Sequence, residues 1–408
     1  MNATTTLPCL PADRRAELLD ALRGFALFGV AFSNFAVLSF WLFMSEADKA
    51  ALPGACFDGV MNFLHGVLID GKFYSIFSLL FGIGFGFFLE KGNDGLWRSY
   101  RRMFLLLLIG WLHMRYLWAG DILFLYASLG LLLPLFRKFS DRALIILAAA
   151  LILSPIAIDA VTVLTKGAFD PAAGAHAIAL AGDKELNVPE GAINSMVPNG
   201  GLQELNAYMR GAWWWRIEHL LATGRLPKVM GLFLLGLVVS RKKLFVDPPA
   251  HRTLLRRVCI VGITLGLPFS TLLWWSGEHM EHLPHTEGLV GTVAYALGVV
   301  PLALGFASGF ALLWIGDRWR HVLVWLAPMG RMALTNYLML TFIGLVLFTG
   351  MGFGWGTRVS AITFEGIAVG VFLLQLVWSA WWLKRFRFGP MEWVWRSLTY
   401  GKVMAMRK

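Results

Sequence analysis

Three ionisable residues lie close together between positions 111 and 126, where one long apolar stretch ends and the next begins. They are His113, Arg115 and Asp121. Ionisable groups at membrane depth are costly, so those that persist usually serve a function. A partly buried imidazole titrates near neutral pH, takes a proton from an attacking hydroxyl or amine, and can carry an acyl group covalently. We therefore predict that His113 is a general base or acyl carrier, with a structural hydrogen-bonding link between helices as the alternative.

Asp121 is the expected partner of His113. It follows Gly120 and opens an apolar run, so it could cap the next helix, orient the imidazole, or do both. Arg115 comes two residues after His113 and would face another direction on a continuous helix. We interpret Arg115 as an interfacial anchor.

The elements that would hold these residues are membrane-spanning helices. With 57% hydrophobic and 15% charged residues and a mean hydropathy of +0.64, the chain differs from soluble proteins, in which about a quarter of residues are charged. Apolar runs of about 17 to 25 residues match the hydrocarbon thickness of a bilayer. We predict an all-α fold, a polytopic integral membrane helical bundle of about ten transmembrane helices in one domain, 1–408. The predicted spans are 22–43, 73–89, 103–119, 121–136, 143–164, 229–240, 258–275, 289–315, 332–348 and 361–383.

Lysine and arginine residues alternate between successive loops. Cytoplasmic loops carry the excess of both near span ends, so this pattern predicts that both termini are cytoplasmic. The net charge of +11 is then a topology signal, and we expect membrane lipids rather than nucleic acid as partners. The polar segment 1–18 and the long first run predict that there is no cleavable signal. The basic residues are Arg14, Arg15 and Arg23 before the first span, Lys91, Arg98, Arg101 and Arg102 after the second, and later clusters after the fourth, sixth, eighth and tenth.

Two segments outside the predicted spans have their own expected roles. The segment 165–226 is predicted to face outward as a loop with an interfacial helix, because Trp213, Trp214 and Trp215 are typical of an aromatic belt. A lid over an outward-facing pocket is the alternative. Residues 385–408 mix aromatic and basic side chains and are predicted to form a cytoplasmic amphipathic tail.

Other polar residues allow more than one interpretation. Lys72 follows Asp70 at the outer end of the second span, where it could stabilise an oxyanion, hold an anionic substrate, or snorkel to headgroups. Asn336 lies one turn into an apolar run and must find a partner within the bundle. The histidines at 279, 282 and 285 lie in an exposed loop without a fourth obvious ligand, so no metal site is predicted there.

Five sequence blocks keep their order along nearly the whole chain: LDALRGFALFGVAFSNF at 19–35, GKFYSIFSLLFGIGFGFFLE at 71–90, LLLIGWLHMRYLWAGDILFLYASLGLLLPLFRK at 106–138, GRMALTNYL at 330–338 and RFRFGPMEWVWRSLTYGK at 385–402. In these blocks the chain resembles the DUF418 family of multipass bacterial membrane proteins, the YeiB-like proteins. That family is similar to a wider group of transmembrane acyltransferases, which includes the acyltransferase-3 proteins, OpgC-like proteins and the heparan-glucosaminide N-acetyltransferase. The resemblance implies a multi-pass protein of the bacterial inner (cytoplasmic) membrane.

The first block carries the likeness to the wider group. By that resemblance Asn34 falls where the acetyltransferase branch has an asparagine near its active site. That branch places a catalytic histidine shortly after the asparagine, whereas this chain has no histidine between Asn34 and His65. Another residue must then take the role, or the chemistry is absent. The residues that match the start of the first span across the group are Leu19, Asp20, Arg23 and Gly24.

The resemblance implies transfer of an acyl group, such as acetyl, from cytoplasmic acyl-CoA to a hydroxyl or amine of an envelope glycan, lipid or small molecule. The alternative is a proton-coupled transporter or flippase with His113 and Asp121 as a proton relay, and a non-enzymatic membrane component is the third. No repeat of the kind found in many transporters is visible between 20–165 and 229–390. Whether the chain forms a homo-oligomer is left open. The expected site comprises His113, Asp121, Asn34 and Lys72 as catalytic residues, Arg23 and Asp20 for the CoA, and Arg331, Asn336 and Trp118 for the substrate.

Overall fold

Helices form almost all of the computed structural model, which describes residues 12–89, 92–188 and 197–408. The chain is 80% helical, and the described residues contain no β-strand beyond an isolated bridge between Phe386 and Arg407. The predicted all-α fold is therefore confirmed. Lys91, one of the residues predicted to be cytoplasmic, lies outside the described residues.

The helices differ widely in length, and a π-turn over His65–Ile69 extends the third of them. In chain order they are α1 (Ala12–Leu38), α2 (Glu46–Ala50), α3 (Asp58–Leu64), α4 (Lys72–Leu89), α5 (Gly92–Tyr116), α6 (Leu123–Gly130), α7 (Asp141–Leu164), α8 (Ala173–Glu185), α9 (Leu202–Ala222), α10 (Arg225–Arg241), α11 (Arg252–His279), α12 (Thr286–Ile315), α13 (Asp317–Leu323), α14 (Ala327–Arg331), α15 (Ala333–Phe348), α16 (Ala361–Arg385) and α17 (Pro390–Tyr400).

Within the described ranges, six helical segments are long and apolar enough to cross a membrane, or up to eight if each of two bent helix pairs is one span. The membrane prediction is supported, but the expected number of about ten and the cytoplasmic position of the termini are not confirmed. Helix α6 has only 8 residues, and Arg98, Arg101 and Arg102 occupy the first half of α5. The six segments are Glu17–Leu38, Ala55–Leu89, Asp141–Leu164, Pro249–His279, Thr286–Ile315 and Ala361–Arg385.

Helix α1 lies in the centre of the bundle and packs against α4, α14, α15 and α16. Its buried face consists largely of alanine and leucine, which lets neighbouring helices approach closely. The closest approach is to α14, where a Cβ atom on Gly330 would lie 1.8 Å from the carbonyl oxygen of Asp20. This crossing therefore requires glycine at position 330, and it fixes Arg331 beside the first half of α1.

Helix α11 has the most exposed apolar surface of the candidate spans. Only 17% of the apolar window in Pro249–His279 is buried, against 61% for its partner Thr286–Ile315. The side chains of Ile260, Val261 and Leu265 are exposed on it. A lipid environment would cover this face.

Helix α9 buries one face against the rest of the bundle and exposes the other. Its residues Leu205, Met209 and Leu220 are buried, and Trp215 donates a hydrogen bond from Nε1 to Asp183 Oδ2 of α8 at 2.8 Å. Helices α8 and α9 both contribute residues to the lining of the large internal cavity. The interfacial helix and the lid over a pocket therefore both remain predictions for the segment 165–226.

Candidate functional site

One large cavity, of about 2850 Å³, runs through the interior of the bundle. Along α1 its lining extends from Asp20 to Leu38, which is about 27 Å at the helical rise of 1.5 Å per residue. The cavity therefore extends over most of the apolar thickness of a bilayer. We call the end near Asp20 the basic mouth, and we call the part lined by Asp70, Tyr74, Tyr295 and the start of α10 the far chamber.

The basic mouth is defined by Arg23, Arg102, Arg331 and Arg396, which line the cavity around Asp20. Arg23 donates from Nη1 to Asp20 Oδ1 at 2.5 Å. The charges of Arg331 and Arg396 also act on the Asp20 carboxylate, and those of Arg23 and Arg396 act on Arg102. Three guanidinium groups thus act on the Asp20 carboxylate, and the fourth, that of Arg102, lies close to two of them. The excess of positive charge, with the forked hydrogen-bonding geometry of arginine, is suited to phosphate groups.

The C-terminal helix α17 forms one wall of this mouth. Trp395 packs its ring 3.9 Å from the Arg102 guanidinium and donates from Nε1 to the Arg102 carbonyl oxygen at 3.0 Å. Glu392 accepts hydrogen bonds from Leu334 N at 2.7 Å, Thr335 N at 3.0 Å and Thr335 Oγ1 at 2.5 Å. Burial raises the pKa of the Glu392 carboxyl. Glu392 thereby caps α15 and anchors the tail to the bundle.

Deeper in the cavity, His65 and Glu365 form a partly buried pair in which His65 Nδ1 lies 2.6 Å from Glu365 Oε1. The side chains are 16% and 10% exposed, and His65 lines the cavity. A carboxylate at Nδ1 favours the tautomer whose Nε2 is free to accept a proton. No described residue hydrogen-bonds this Nε2. Sequence analysis did not identify this pair.

Asn34 lines the same cavity. Of the four residues predicted to be catalytic, it is the one that the described lining includes. Its Nδ2 is buried and has no hydrogen-bond partner among the described residues. A buried amide donor without a partner is costly, so this group is available to a ligand. Trp118, predicted to contact substrate, also lines the cavity, as do Asp20, Arg23 and Arg331.

His113 and Asp121 lie together, but they do not line this cavity. His113 Nδ1 is 2.8 Å from Asp121 Oδ2, with side chains 1% and 0% exposed. Asp121 Oδ1 also accepts a hydrogen bond from Phe124 N at 2.7 Å, so the carboxylate both caps α6 and holds the imidazole. The wall between this pair and the cavity includes Gly120 and Ile122. The expectation that this pair shares a cavity with Asn34 is not met.

Lys72 is another residue that the structure places elsewhere. Its side chain is fully buried, and Nζ donates to the Gly66 carbonyl oxygen at 2.7 Å. The side chain neither reaches headgroups nor lines the cavity. Because Gly66 follows His65 in the π-turn, Lys72 secures the turn that carries His65.

Asn336 is held within the bundle and does not line the cavity. Its Nδ2 donates to Met329 O at 3.2 Å and to Ser379 Oγ at 2.9 Å, and its backbone carbonyl accepts from Gln375 Nε2 at 3.0 Å. These bonds link α14, α15 and α16. Its predicted role at the substrate has no support from this geometry, whereas the expected partners within the bundle are present.

Two of the three histidines at 279, 282 and 285 have local partners. His279 stacks on Trp275, with ring centroids 5.2 Å apart, and His285 Nδ1 lies 3.0 Å from Glu281 Oε2. Among the described residues there is no group of three or more histidine, cysteine, aspartate and glutamate side chains that could hold a metal ion.

Comparison with known proteins gives a family but no activity. A family profile described as "Protein of unknown function (DUF418)" matches residues 239–402. The chain is 30% identical over 409 residues to "Uncharacterized protein YxaH" of Bacillus subtilis (strain 168), covering 95% of each protein. It is 27% identical over 409 residues to "Uncharacterized protein YeiB" of Escherichia coli (strain K12), covering 94% of this chain and 96% of that protein. No solved structure matches the chain.

Proposed function

The chain belongs to the DUF418 family, and on that premise we propose that it is an acyltransferase of the bacterial inner membrane. It passes an acyl group, such as acetyl, from acyl-CoA to a hydroxyl or amine of an envelope glycan, lipid or small molecule. The proposal rests on one observation, that a single cavity joins the basic mouth to His65, which is paired with Glu365.

In this proposal the basic mouth binds the phosphates of the acyl-CoA, and its thioester extends towards Asn34. Arg23 and Asn34 are separated by about 17 Å along α1 at 1.5 Å per residue, a distance comparable to an extended pantetheine arm. The excess of lysine and arginine near this mouth agrees with a cytoplasmic position. Acyl-CoA would then enter from the compartment in which it is made.

The chemical step needs a base, a nucleophile and a donor to the oxyanion. The acceptor hydroxyl or amine attacks the thioester carbonyl while His65 Nε2 takes its proton. Asn34 Nδ2 donates to the tetrahedral oxyanion. Collapse of that intermediate breaks the carbon–sulfur bond, and the CoA thiolate leaves with the proton returned from His65. Glu365 stabilises the imidazolium that forms between these events.

His65 replaces His113 as the proposed base because access decides between them. Both histidines have a carboxylate at Nδ1. His65 lines the cavity, whereas His113 is buried and does not line it. A base must come within hydrogen-bonding reach of the proton that it removes.

A proton-coupled transporter is the second candidate, and the buried His113–Asp121 pair favours it. Ionisable pairs inside a bundle serve as proton relays in pumps and transporters, and Tyr337 extends this pair with a hydrogen bond to Asp121 Oδ2 at 3.4 Å. A cavity that spans the bundle would serve a transported solute as well as an acyl-CoA. Turnover of acyl-CoA separates the two functions.

The test measures binding and consumption of acetyl-CoA by the full chain purified in detergent. We expect CoA release above that of a detergent blank, and weaker acetyl-CoA binding in Arg331→Gln. Loss of one charge-assisted contact should weaken binding about tenfold or more. The matched control is Arg256→Gln, an exposed arginine outside the cavity, which should bind like the wild type.

Two outcomes would contradict the proposal. If acetyl-CoA and longer acyl-CoAs neither bind nor turn over, acyl transfer is excluded and the transporter interpretation replaces it. If acyl-CoA binds equally well to the wild type and Arg331→Gln, the mouth is not where the phosphates bind.

A further inference from the structure

The far chamber contains two basic side chains that form no ion pair with a described residue. Arg225 and Lys228 lie one turn apart at the start of α10 and line the cavity. Lys228 is only 5% exposed. The described contacts of both groups are ring faces: Arg225 lies 4.8 Å from the Tyr74 ring centroid, and Lys228 Nζ lies 3.6 Å from that of Tyr295.

Two carboxylates lie in the neighbourhood, but neither pairs with these cations. Asp70 and Asp159 line the cavity and act on Lys228 through their charges. Asp159 is held by Thr292, whose Oγ1 donates to it at 2.5 Å. Within the described residues, no ion pair or hydrogen bond reaches Arg225 or Lys228. Buried charges without a hydrogen-bonded partner are strongly unfavourable, so the pair is suited to an incoming anion.

Further donors face the same part of the cavity. Tyr74 and Tyr295 share a hydrogen bond of 2.5 Å between their hydroxyl oxygens, and this pairing leaves one hydroxyl proton for another acceptor. Helix α10 has 17 residues, and its N-cap Gly224 provides no side-chain cap. The first-turn amides and the positive end of the helix dipole therefore add to the charge of Arg225 and Lys228.

We propose that Arg225, Lys228, Tyr74 and Tyr295 form a binding site for a phosphate group in the far chamber. A guanidinium fork, an ammonium group, hydroxyl donors and a helix N-terminus together match the several oxygens of a phosphate ester. The phosphate belongs to a lipid headgroup or to a soluble phosphate ester, since both present the same chemistry. This site is separate from the basic mouth, because none of its four residues is among the arginines that define the mouth.

The site also defines the class of acceptor, and in this respect it rests on the proposed acyl transfer. The turn that carries His65 continues through Asp70 to Gly71, where a Cβ atom would lie 3.0 Å from the Tyr295 hydroxyl. An acceptor whose phosphate occupied the site would therefore have its remaining groups close to the His65 turn. The acceptor is then a phosphate-bearing molecule whose hydroxyl or amine lies near that phosphate.

The experiment measures binding without acyl-CoA, so its result does not depend on acyl transfer. The full chain in a neutral detergent is titrated with inorganic phosphate and, separately, with a short-chain phosphatidylglycerol; a short-chain diacylglycerol serves as the phosphate-free control. We expect the wild type to bind at least one of the two phosphate probes. Arg225→Gln and Lys228→Gln should each weaken binding about tenfold, whereas Arg225→Lys should retain part of it.

The exposed Arg256→Gln is the matched control, and Arg331→Gln reports separately on phosphate bound at the basic mouth. Retained binding in Arg256→Gln, with a loss in Arg225→Gln and Lys228→Gln that Arg331→Gln does not reproduce, supports the far site. Binding of phosphatidylglycerol alone indicates a lipid source, and binding of inorganic phosphate indicates a soluble one. If neither probe binds, if diacylglycerol binds equally well, or if only Arg331→Gln weakens binding, the proposal is wrong. If Arg225→Lys and Arg225→Gln both lose binding and show an unfolded profile in size-exclusion chromatography, the result of Lys228→Gln decides the test. Wild-type binding in Lys228→Gln would then also overturn the proposal.

Discussion

Replacing Glu392 with alanine should release the C-terminal tail from the bundle. The side chain accepts three hydrogen bonds, from Leu334 N, Thr335 N and Thr335 Oγ1. Alanine would leave three donors without an acceptor in a site that is only 9% exposed. Breaking a buried hydrogen-bonded group of this kind costs about 3 to 5 kcal/mol, a large fraction of the net stability of a folded domain.

The assay is thermal unfolding of the purified protein, followed by tryptophan fluorescence. We expect Glu392→Ala to lower Tm and Glu392→Gln to lower it less, because the amide oxygen still accepts from the two backbone N–H groups. Acetyl-CoA binding should also weaken in Glu392→Ala, since α17 positions Trp395 against Arg102. An unchanged Tm in Glu392→Ala, matching the exposed control Glu185→Ala, would refute the anchoring role.

The other structural predictions concern a helix crossing and the enclosed histidine. Gly330→Ala should prevent the close approach of α14 to α1 and lower both yield and Tm, because its Cβ would lie 1.8 Å from the Asp20 carbonyl oxygen; Gly366→Ala, with nothing within 4 Å, should behave as wild type. His113→Gln should lower Tm by unpairing Asp121 and should leave the turnover of folded protein within about threefold of wild type, a ratio well below the loss expected for a general base. Turnover that falls a hundredfold without a change in Tm would restore His113 as the base.

The fold class followed from composition and run length, because the bilayer sets the length of an apolar helix. The number of spans did not, because hydropathy does not show where a helix bends. The predicted sixth and ninth spans belong to helix pairs bent by 66° and 78°. The third predicted span corresponds to α5, whose first half is charged, and the fourth corresponds to α6, which has only 8 residues. Neither helix has the simple pattern of a spanning helix.

At the site, proximity in sequence identified one pair and missed another. His113 and Asp121 are eight residues apart, so their contact could be anticipated from a helix end and the turn that follows. His65 and Glu365 are 300 residues apart, and only the packing of α16 beside α3 brings them together. The available signal for the pair was a histidine and a glutamate in apolar surroundings. Whether either of them faced a cavity could not be read from the chain.

The sequence also did not reveal which basic side chains line the cavity. Arg225 and Lys228 were not singled out, although two basic residues in the first turn of an apolar helix are unusual at membrane depth. Lys72 was placed at a membrane surface because it directly precedes the apolar run 73–89. The π-turn at His65–Ile69 instead directs a carbonyl oxygen towards its ammonium group, a contact that residue spacing alone does not reveal.

The most direct test of the proposed function is acyl-CoA turnover in a His65→Ala variant. A general base contributes about 10² to 10⁴ in rate, so His65→Ala should lose turnover by that factor while acetyl-CoA still binds at the basic mouth. His285→Ala, whose side chain is 65% exposed and lies outside the cavity lining, should turn over acyl-CoA at the wild-type rate. Wild-type turnover in folded His65→Ala would contradict the account.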